Sequence, residues 1–182
     1  MDISLLTEQI DRITAEFSDS FGALSPEQMN WKPSPVVWSV AQNIEHLILI
    51  NESYYPMISA AFRKNYKPPF HARFDFLVKF MEKSVLASVQ PNRKKKIKTF
   101  KLWEPQAGIV EGDILHRFIK HQTSLKQVLK NSKSLLEKGV IISSPANRNL
   151  VYRLEVVFQI LLTHEKRHLN QAREILAEIE SV

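Results

Sequence analysis

Apolar residues recur at steps of three and four residues along most of this 182-residue chain. That spacing places them along one face of an α-helix. Glycine occurs only four times, well under the usual share of about 7%, and it falls between the periodic segments. Because few glycines mean few turns, we predict an all-α fold of long helices that share one core.

The periodic segments predict a short helical turn at about 25–28 and five helices, at about 3–18, 40–61, 74–89, 111–138 and 150–180. Ser39 and Gln42 make a capping box, which sets the start of the second helix near Val40. Pro56 is expected to kink or end that helix. Gly139 is placed to cap the fourth helix at its C-terminus.

The third predicted helix is expected to have an apolar side made of Phe76, Leu77, Phe80, Met81, Val85 and Leu86. No segment alternates in the way that a β-strand requires. The periodicity breaks from Gln90 to Gly112, which predicts a long crossover loop before the fourth helix, and loops of more than about 15 residues are often functional. We therefore predict that residues 1–182 form a single domain, a four-helix bundle with one long crossover.

The formal net charge of +6 arises in one stretch, Arg93–Lys101. This stretch holds six basic residues and no acid, and the rest of the chain carries as many basic residues as its 19 acidic ones. One basic loop is a small footprint for nucleic acid, so we do not predict nucleic acid as a partner. With Phe100 inside it and Trp103 just after it, the stretch is either a solvated connection or a rim that attracts an anionic molecule.

Cysteine is absent from the chain, which removes disulfides, thiolate metal sites and a cysteine nucleophile, and which fits a reducing cytoplasm. The N-terminal segment carries acids early and lacks the basic start of a signal peptide. No uncharged apolar run approaches the length of about 18 residues that a membrane span requires. We therefore predict a cytoplasmic protein with no membrane partner.

Among six histidines, His164 and His168 are the most informative pair. They lie four residues apart and so share one face of the last predicted helix. That face is otherwise mainly apolar, and its members are Leu154, Val157, Leu161, His164, His168, Gln171 and Ile175. Two imidazoles that face a core both need polar partners, and one divalent metal would satisfy both. His46, in the middle of the second helix, is the best candidate for a third ligand, since the face contains no Asp or Glu.

Three neutral imidazoles that leave one position for water or substrate are typical of a catalytic metal site rather than a structural one. A metal held in this way would activate water, or would bind a thiol as thiolate. The alternative for each histidine is a core residue that is hydrogen-bonded without any metal. His121 is predicted to be such a residue or to line the pocket, whereas His71 and His116 are predicted to face solvent.

Residues His164 to His168 also spell H-E-x-x-H, a signature of zinc metalloproteases in which the glutamate, here Glu165, is the general base. The extended form of that motif needs glycine at 171 and histidine at 174, where this chain has Gln171 and Glu174. We therefore do not predict a protease. Glu165 remains a candidate catalytic carboxylate, and the alternative is a helix-surface residue that pairs with Lys or Arg one turn away.

Two distant segments resemble the DinB/YfiT-like superfamily. Residues 31–47, WKPSPVVWSVAQNIEHL, resemble the segment that opens its second helix, where a Trp-Ser pair precedes a histidine near the middle. Residues 164–172, HEKRHLNQA, resemble its last-helix segment, a histidine pair followed by glutamine. The order of elements agrees as well, so the resemblance covers essentially the whole chain.

The resemblance implies a DinB-type four-helix bundle, often a homodimer, with a divalent metal on three histidines. The metal is commonly zinc or nickel, and the histidines correspond here to His46, His164 and His168. Characterised relatives are hydrolases, or transferases and isomerases that use low-molecular-weight thiols such as bacillithiol or mycothiol. We therefore predict a metal-dependent hydrolase or thiol S-transferase that acts on a small molecule, with such a thiol as a second candidate cofactor. The alternative is a non-catalytic helical binding or dimerisation module whose metal site is structural or vestigial.

Overall fold

A computed structural model describes residues 2–92 and 98–181 of the chain. These residues form the helices α1 (Ile3–Phe21), α2 (Pro26–Asn30), α3 (Val40–Phe62), α4 (Asp75–Ser88), α5 (Ile114–Asn131), α6 (Lys133–Glu137) and α7 (Leu154–Glu180). They also form single 3₁₀ turns at Phe70–Arg73 and Lys101–Trp103, and the short strands β1 (Ile141–Ser143) and β2 (Val151–Arg153). The prediction of an all-α fold is confirmed.

The four long helices α1, α3, α5 and α7 form the bundle. α3 packs against α5 and α7, and α1 packs against the same two helices, so the four surround one core. Each of them contributes buried apolar side chains, among which are Ile10, Phe17, Ile44, Phe118 and Phe158. Burial of one such side chain contributes about 1.5–3 kcal/mol, so this core is the main stabilising feature of the fold.

The start of α3 is fixed by the capping box that the sequence predicts. Ser39 Oγ accepts from the Gln42 backbone N–H at 3.1 Å, and the Gln42 side-chain oxygen accepts from the Ser39 N–H at 3.2 Å. The helix then continues beyond Pro56, so of the two predicted effects of this proline, a kink or an end, the end does not occur. Tyr54 and Ile58, buried on either side of the proline, hold the helix against the bundle and outweigh the lost hydrogen bond.

The segment between α5 and α7 differs from the prediction in two ways. The fourth predicted helix divides at Ser132 into α5 and α6, and the last helix begins at Leu154 rather than near position 150. Between them β1 and β2 pair as an antiparallel hairpin, with Ile142 opposite Tyr152. Strands of three residues are too short to show alternation, which is why the sequence predicted none. Gly139 follows α6 with φ +59°, and its predicted place at a helix C-terminus is confirmed.

α4 packs outside the ring of four helices, against α7 and β2. Arg153 of β2 donates to both carboxylate oxygens of Glu82, at 3.0 and 2.8 Å. The predicted apolar side of this helix is wrong in part, since Phe76 and Phe80 are each 69% exposed. The ion pair turns α4 so that Val78 and Glu82 face the bundle while the two phenylalanines face outward.

The basic stretch Arg93–Lys101 lies partly outside the described residues, which resume at Lys98. From there to α5 the chain carries only the 3₁₀ turn Lys101–Trp103, in agreement with the predicted crossover loop. No helix of the described ranges combines the length and the apolar character that crossing a membrane requires.

Candidate metal centre

Three histidines from two helices come together on one side of the bundle. α3 supplies His46, and α7 supplies His164 and His168. One ring nitrogen of each histidine lies within 4.8 Å of the others. Nε2 of His164 and Nε2 of His168 are 3.1 Å apart, close to the separation of about 3.3 Å for two nitrogens that share a tetrahedral ion at about 2.0–2.1 Å. The predicted ligand set is therefore brought together by the fold.

The hydrogen-bond partners of two of these rings fix their tautomers. His46 Nδ1 lies 2.6 Å from the carbonyl oxygen of Trp103, and His168 Nδ1 lies 2.7 Å from Asn43 Oδ1. The amide of Asn43 is itself oriented, because its Nδ2 donates to the Ser39 carbonyl at 2.9 Å. Both oxygens can only accept, so each Nδ1 carries the proton and each Nε2 keeps its lone pair. Histidines that bind metals commonly have such a partner on the second nitrogen.

Burial keeps the three imidazoles uncharged. It lowers the pKa of His46 to about 4, although the hydrogen bond to Trp103 acts in the opposite direction. Burial also holds the pKa values of His164 and His168 well below the ordinary value, and the neighbouring imidazoles and the Arg167 guanidinium lower them further. Neutral imidazole is the form that binds a metal, so none of the three must lose a proton at neutral pH.

A cavity of about 600 Å³ opens beside the three histidines. Trp38 forms part of its wall, with its ring centroid 4.8 Å from that of His46 and 6.0 Å from that of His168. Within residues 2–92 and 98–181, no fourth His, Cys, Asp or Glu joins the cluster. A further coordination position on an ion held there would therefore open to the cavity, as in catalytic sites. The donor set, the tautomers and the open side all fit a divalent metal.

The sequence model of the DinB superfamily matches residues 9–172 of the chain. The chain belongs to the DinB superfamily. An uncharacterized protein of Bacillus subtilis strain 168, YuaE, is 28% identical over 159 residues, which are 86% of this chain and 88% of that protein. No solved structure gives a significant match. The resemblance that rests on residues 31–47 and 164–172 is thereby confirmed.

The crossover segment of this DinB bundle is fastened to α3 beside the histidines. Trp103 Nε1 donates to Ser53 Oγ at 3.0 Å, and the Gln106 backbone N–H donates to Glu45 Oε2 at 2.9 Å. These contacts hold the Trp103 carbonyl in place against His46. Every residue type has a backbone carbonyl, so a sequence carries no signal for one that accepts a hydrogen bond. The sequence therefore predicted the loop but not the role of the Trp103 carbonyl as the partner of His46.

Glu165 lies in a second polar cluster, between α3, α5 and α7. Its carboxylate is fully buried and accepts from Asn51 Nδ2 at 2.7 Å and from Gln122 Nε2 at 3.0 Å. Burial raises the pKa of Glu165 to about 7, although both amide donors act in the opposite direction. The interpretation of Glu165 as a surface residue is therefore wrong. Its side chain is not among those that line the cavity beside the histidines.

The other histidines of this DinB chain lie away from the cavity. His121 is buried in the cluster of Glu165, where its Nε2 is 3.1 Å from Asn51 Nδ2, and it does not line the cavity. His116 is exposed, as predicted. His71 is only half-buried, and its Nε2 lies 3.0 Å from the Asn149 carbonyl oxygen.

Proposed function

We propose that the chain is a metal-dependent enzyme in which His46, His164 and His168 hold a divalent ion. Zn²⁺ and Ni²⁺ are the proposed ions, and the proposed reaction is either hydrolysis or the transfer of a low-molecular-weight thiol. The observation that carries this proposal is the convergence of three neutral imidazoles on the wall of a cavity of about 600 Å³. An ion on such ligands supplies Lewis acidity, which lowers the pKa of a water or thiol that reaches it.

The neighbours of the histidines have separate roles in this proposal. Asn43 and the Trp103 carbonyl hold two of the rings in the metal-binding tautomer. Trp38 covers one side of the cluster with an apolar surface. Arg167, which is 8% exposed, lines the cavity and donates to the Gln90 carbonyl oxygen at 3.1 Å. Its fixed positive charge favours an anionic small molecule over a cationic one.

For Glu165 we propose a positioning role. A residue that moves a proton must come within hydrogen-bond reach of the reacting group, and the Glu165 carboxylate does not line the cavity. Its bonds to Asn51 of α3 and Gln122 of α5 instead fix the rotation of α7 about its own axis. Since His164 is the preceding residue, that rotation decides where the ligand nitrogens point.

The activity test compares metal-loaded protein with a variant of the site. Zn²⁺- and Ni²⁺-loaded protein is assayed for hydrolysis of p-nitrophenyl esters and small amides, and for transfer of bacillithiol, mycothiol or glutathione to monobromobimane. We expect one class to be turned over, with a rate that falls more than about 100-fold in His164→Ala and after chelation. The matched control is His116→Ala, an exposed position.

Two results would count against catalysis at this site. Turnover that persists in His164→Ala would assign the activity to another part of the molecule. A metal that stabilises the fold, in a protein that turns over neither class of substrate, would favour the non-catalytic binding or dimerisation module.

We further propose that the chain forms a homodimer through an aromatic patch made of Phe70, Phe74, Phe76 and Phe80. Phe70, Phe76 and Phe80 are each 69% exposed, and Phe74 is 43% exposed. The Phe74 ring lies 5.7 Å from that of Phe70 and 6.2 Å from that of Phe76, centroid to centroid, so these three side chains form a continuous surface, and Phe80 lies one turn beyond Phe76 on α4. Contiguous exposed apolar surface of this kind marks an interaction site, and a two-fold axis would place the patch against its own copy.

The double variant Phe76→Asp/Phe80→Asp is expected to have the mass of one chain, whereas the wild type has the mass of two. An acid on each helix face would have to be buried without a partner in the dimer, which is costly. Size-exclusion chromatography with light scattering measures the mass. Ile119→Asp, at a position of α5 that is 36% exposed, is the control and is expected to remain dimeric. Dimers in both variants would place the interface elsewhere.

A further inference from the structure

The cavity beside the histidines extends along α3, away from the metal cluster. His46, Ile50 and Tyr54 line it at intervals of four residues, which puts all three on one face of the helix. Because an α-helix rises about 1.5 Å per residue, the backbone positions of His46 and Tyr54 are about 12 Å apart. The cavity is therefore elongated, with the three histidines in one part and Tyr54 in another.

Three residues that carry buried hydroxyl groups, Tyr54, Tyr152 and Ser144, line one part of the cavity. Tyr54 Oη and Tyr152 Oη are 3.1 Å apart, and the Ser144 side chain lies against both phenols. All three residues line the cavity, and none is more than 2% exposed. Burial raises the pKa of both tyrosines, so both phenols are neutral O–H groups at physiological pH. The bond between Tyr54 and Tyr152 uses the hydrogen of one phenol, so the other phenol keeps its hydrogen to donate to a ligand or to Ser144.

Apolar side chains lie between these two polar parts. Ile50 of α3 and Ile160 of α7 line the cavity, and Leu150, just before β2, lines it as well. Ile160 is one turn ahead of His164 on the same face of α7. A wall of this kind accommodates an aliphatic or aromatic segment and gives no hydrogen bond to a polar one.

We propose that the cavity binds an elongated small molecule with a reacting group at the three histidines and an uncharged hydrogen-bonding group at its opposite end. Tyr54, Tyr152 and Ser144 hold that opposite end, which is a hydroxyl, a carbonyl or an amide, and an apolar segment joins the two ends. The inference rests on the proposed metal site and names the substrate class for it. A charged end is disfavoured because an ion in a buried cluster of neutral hydroxyls is costly.

The test uses thiols as probes, because a thiol binds the metal and its other end can be varied. The protein is loaded with Co²⁺, and the thiolate-to-cobalt absorption band is titrated with 3-mercaptopropanol, 8-mercaptooctanol, 11-mercaptoundecanol and 1-octanethiol. An extended 8-mercaptooctanol is about as long as the rise of about 12 Å along α3 from His46 to Tyr54. We expect it to bind more tightly than the shorter and longer alcohols, and we expect Tyr152→Phe and Tyr54→Phe to weaken it about five-fold, the effect of one hydrogen bond. The affinity for 1-octanethiol should stay unchanged in both variants.

Tyr66→Phe is the matched control, since Tyr66 Oη donates to Ser143 Oγ at 2.8 Å and Tyr66 does not line the cavity. A wild type that binds 8-mercaptooctanol no more tightly than 3-mercaptopropanol and 11-mercaptoundecanol would overturn the inference without needing any variant. An equal loss of affinity for 8-mercaptooctanol in Tyr66→Phe and Tyr152→Phe would also overturn it. A cobalt-loaded protein that gives no thiolate band would instead contradict the proposed metal site, so the two failures are distinguishable.

Discussion

Replacing His168 by alanine is expected to abolish stoichiometric binding of Zn²⁺, Ni²⁺ or Co²⁺. The change removes one of three converging nitrogens and leaves His46 and His164, on different helices, as the remaining members of the cluster in the described part of the chain. Two imidazoles fall short of the three protein ligands that a catalytic divalent site uses. We expect the affinity to fall by more than about 100-fold, beyond the usual effect of losing an outer partner. Isothermal titration calorimetry on protein freed of metal measures it.

Two further variants test the same assignment, one as a control and one by removing the partner of a ligand. His116→Ala, at an exposed position of α5, is expected to bind one ion with wild-type affinity. Asn43→Leu removes the acceptor of the His168 Nδ1–H, and it is expected to weaken binding by about 10–100-fold without abolishing it. If all variants, His168→Ala included, bound one ion per chain as the wild type does, the assignment of the three histidines would be wrong.

The pairing of His164 and His168 could be predicted because both occupy positions where the helical period predicts apolar residues. His164 and His168 interrupt an apolar stripe, and two stacked imidazoles in a core need an explanation that surface histidines do not. The step of four residues then fixes their common face without any knowledge of the tertiary fold. The prediction of His46 had weaker support, namely its position in the middle of a predicted helix. In the fold, the centroid of its ring lies 4.6 Å from that of His168.

The partners of the ligands could not be predicted, because they depend on which helices are neighbours. Asn43 lies on the same face of α3 as His46, yet its Oδ1 accepts from His168 on another helix. The pairing joins residues 125 positions apart, and no local pattern relates them. The carbonyl of Trp103, in turn, belongs to a loop whose path is set by bonds to α3.

Helical spacing also explains why Glu165, one of whose two predicted roles was that of a catalytic carboxylate, lies away from the cavity. Successive residues of an α-helix are about 100° apart around the axis, so the neighbour of a ligand faces a different helix. Glu165 points between α3 and α5, to Asn51 and Gln122, while His164 lines the cavity. The sequence motif H-E-x-x-H places a glutamate beside a metal-binding histidine, but it does not place both in one pocket.

The outward face of α4 shows where a periodic pattern is ambiguous. Phe76 and Phe80 continue the apolar spacing of that helix as well as Leu77 and Met81 do, and the period alone cannot decide which side is buried. The ion pair between Glu82 and Arg153, across 71 positions of the chain, makes the choice. Leaving two phenylalanines exposed is costly for an isolated chain, which is the reason for expecting a partner on that face.

Glu165→Gln is expected to remove a large pH dependence from the stability of the metal-free protein. Burial raises the pKa of Glu165 from 4.5 to about 7, so the folded state binds this proton more tightly than the unfolded state does. The stabilisation is complete below about pH 4.5 and is lost as the pH rises through about 7. That change corresponds to roughly 3 kcal/mol in the free energy of unfolding, which the neutral glutamine does not lose at high pH.

Glutamine fits this cluster because the side-chain amide of Gln122 can rotate so that its oxygen faces residue 165. Gln122 Oε1, which is buried without a hydrogen-bond partner among the described residues, can then accept from the new side-chain NH₂, while Asn51 Nδ2 continues to donate to the glutamine oxygen. Glu165→Ala, by contrast, leaves the donors of both amides unpaired and creates a void. We expect it to lower the free energy of unfolding by about 3 kcal/mol or more at pH 5, where the wild-type carboxyl is protonated.

Urea denaturation at pH 5 and pH 8, with a chelator present, tests both expectations. The free energy of unfolding of the wild type, relative to that of Glu165→Gln, should fall by about 2.5 kcal/mol between pH 5 and pH 8. Taking this difference cancels groups outside the cluster that are common to both proteins, such as His46, whose lowered pKa makes stability fall as the pH drops from 6.5 towards about 4. Glu178→Gln, exposed on the same helix, is the control. A difference that is the same at both pH values would contradict a buried proton on Glu165.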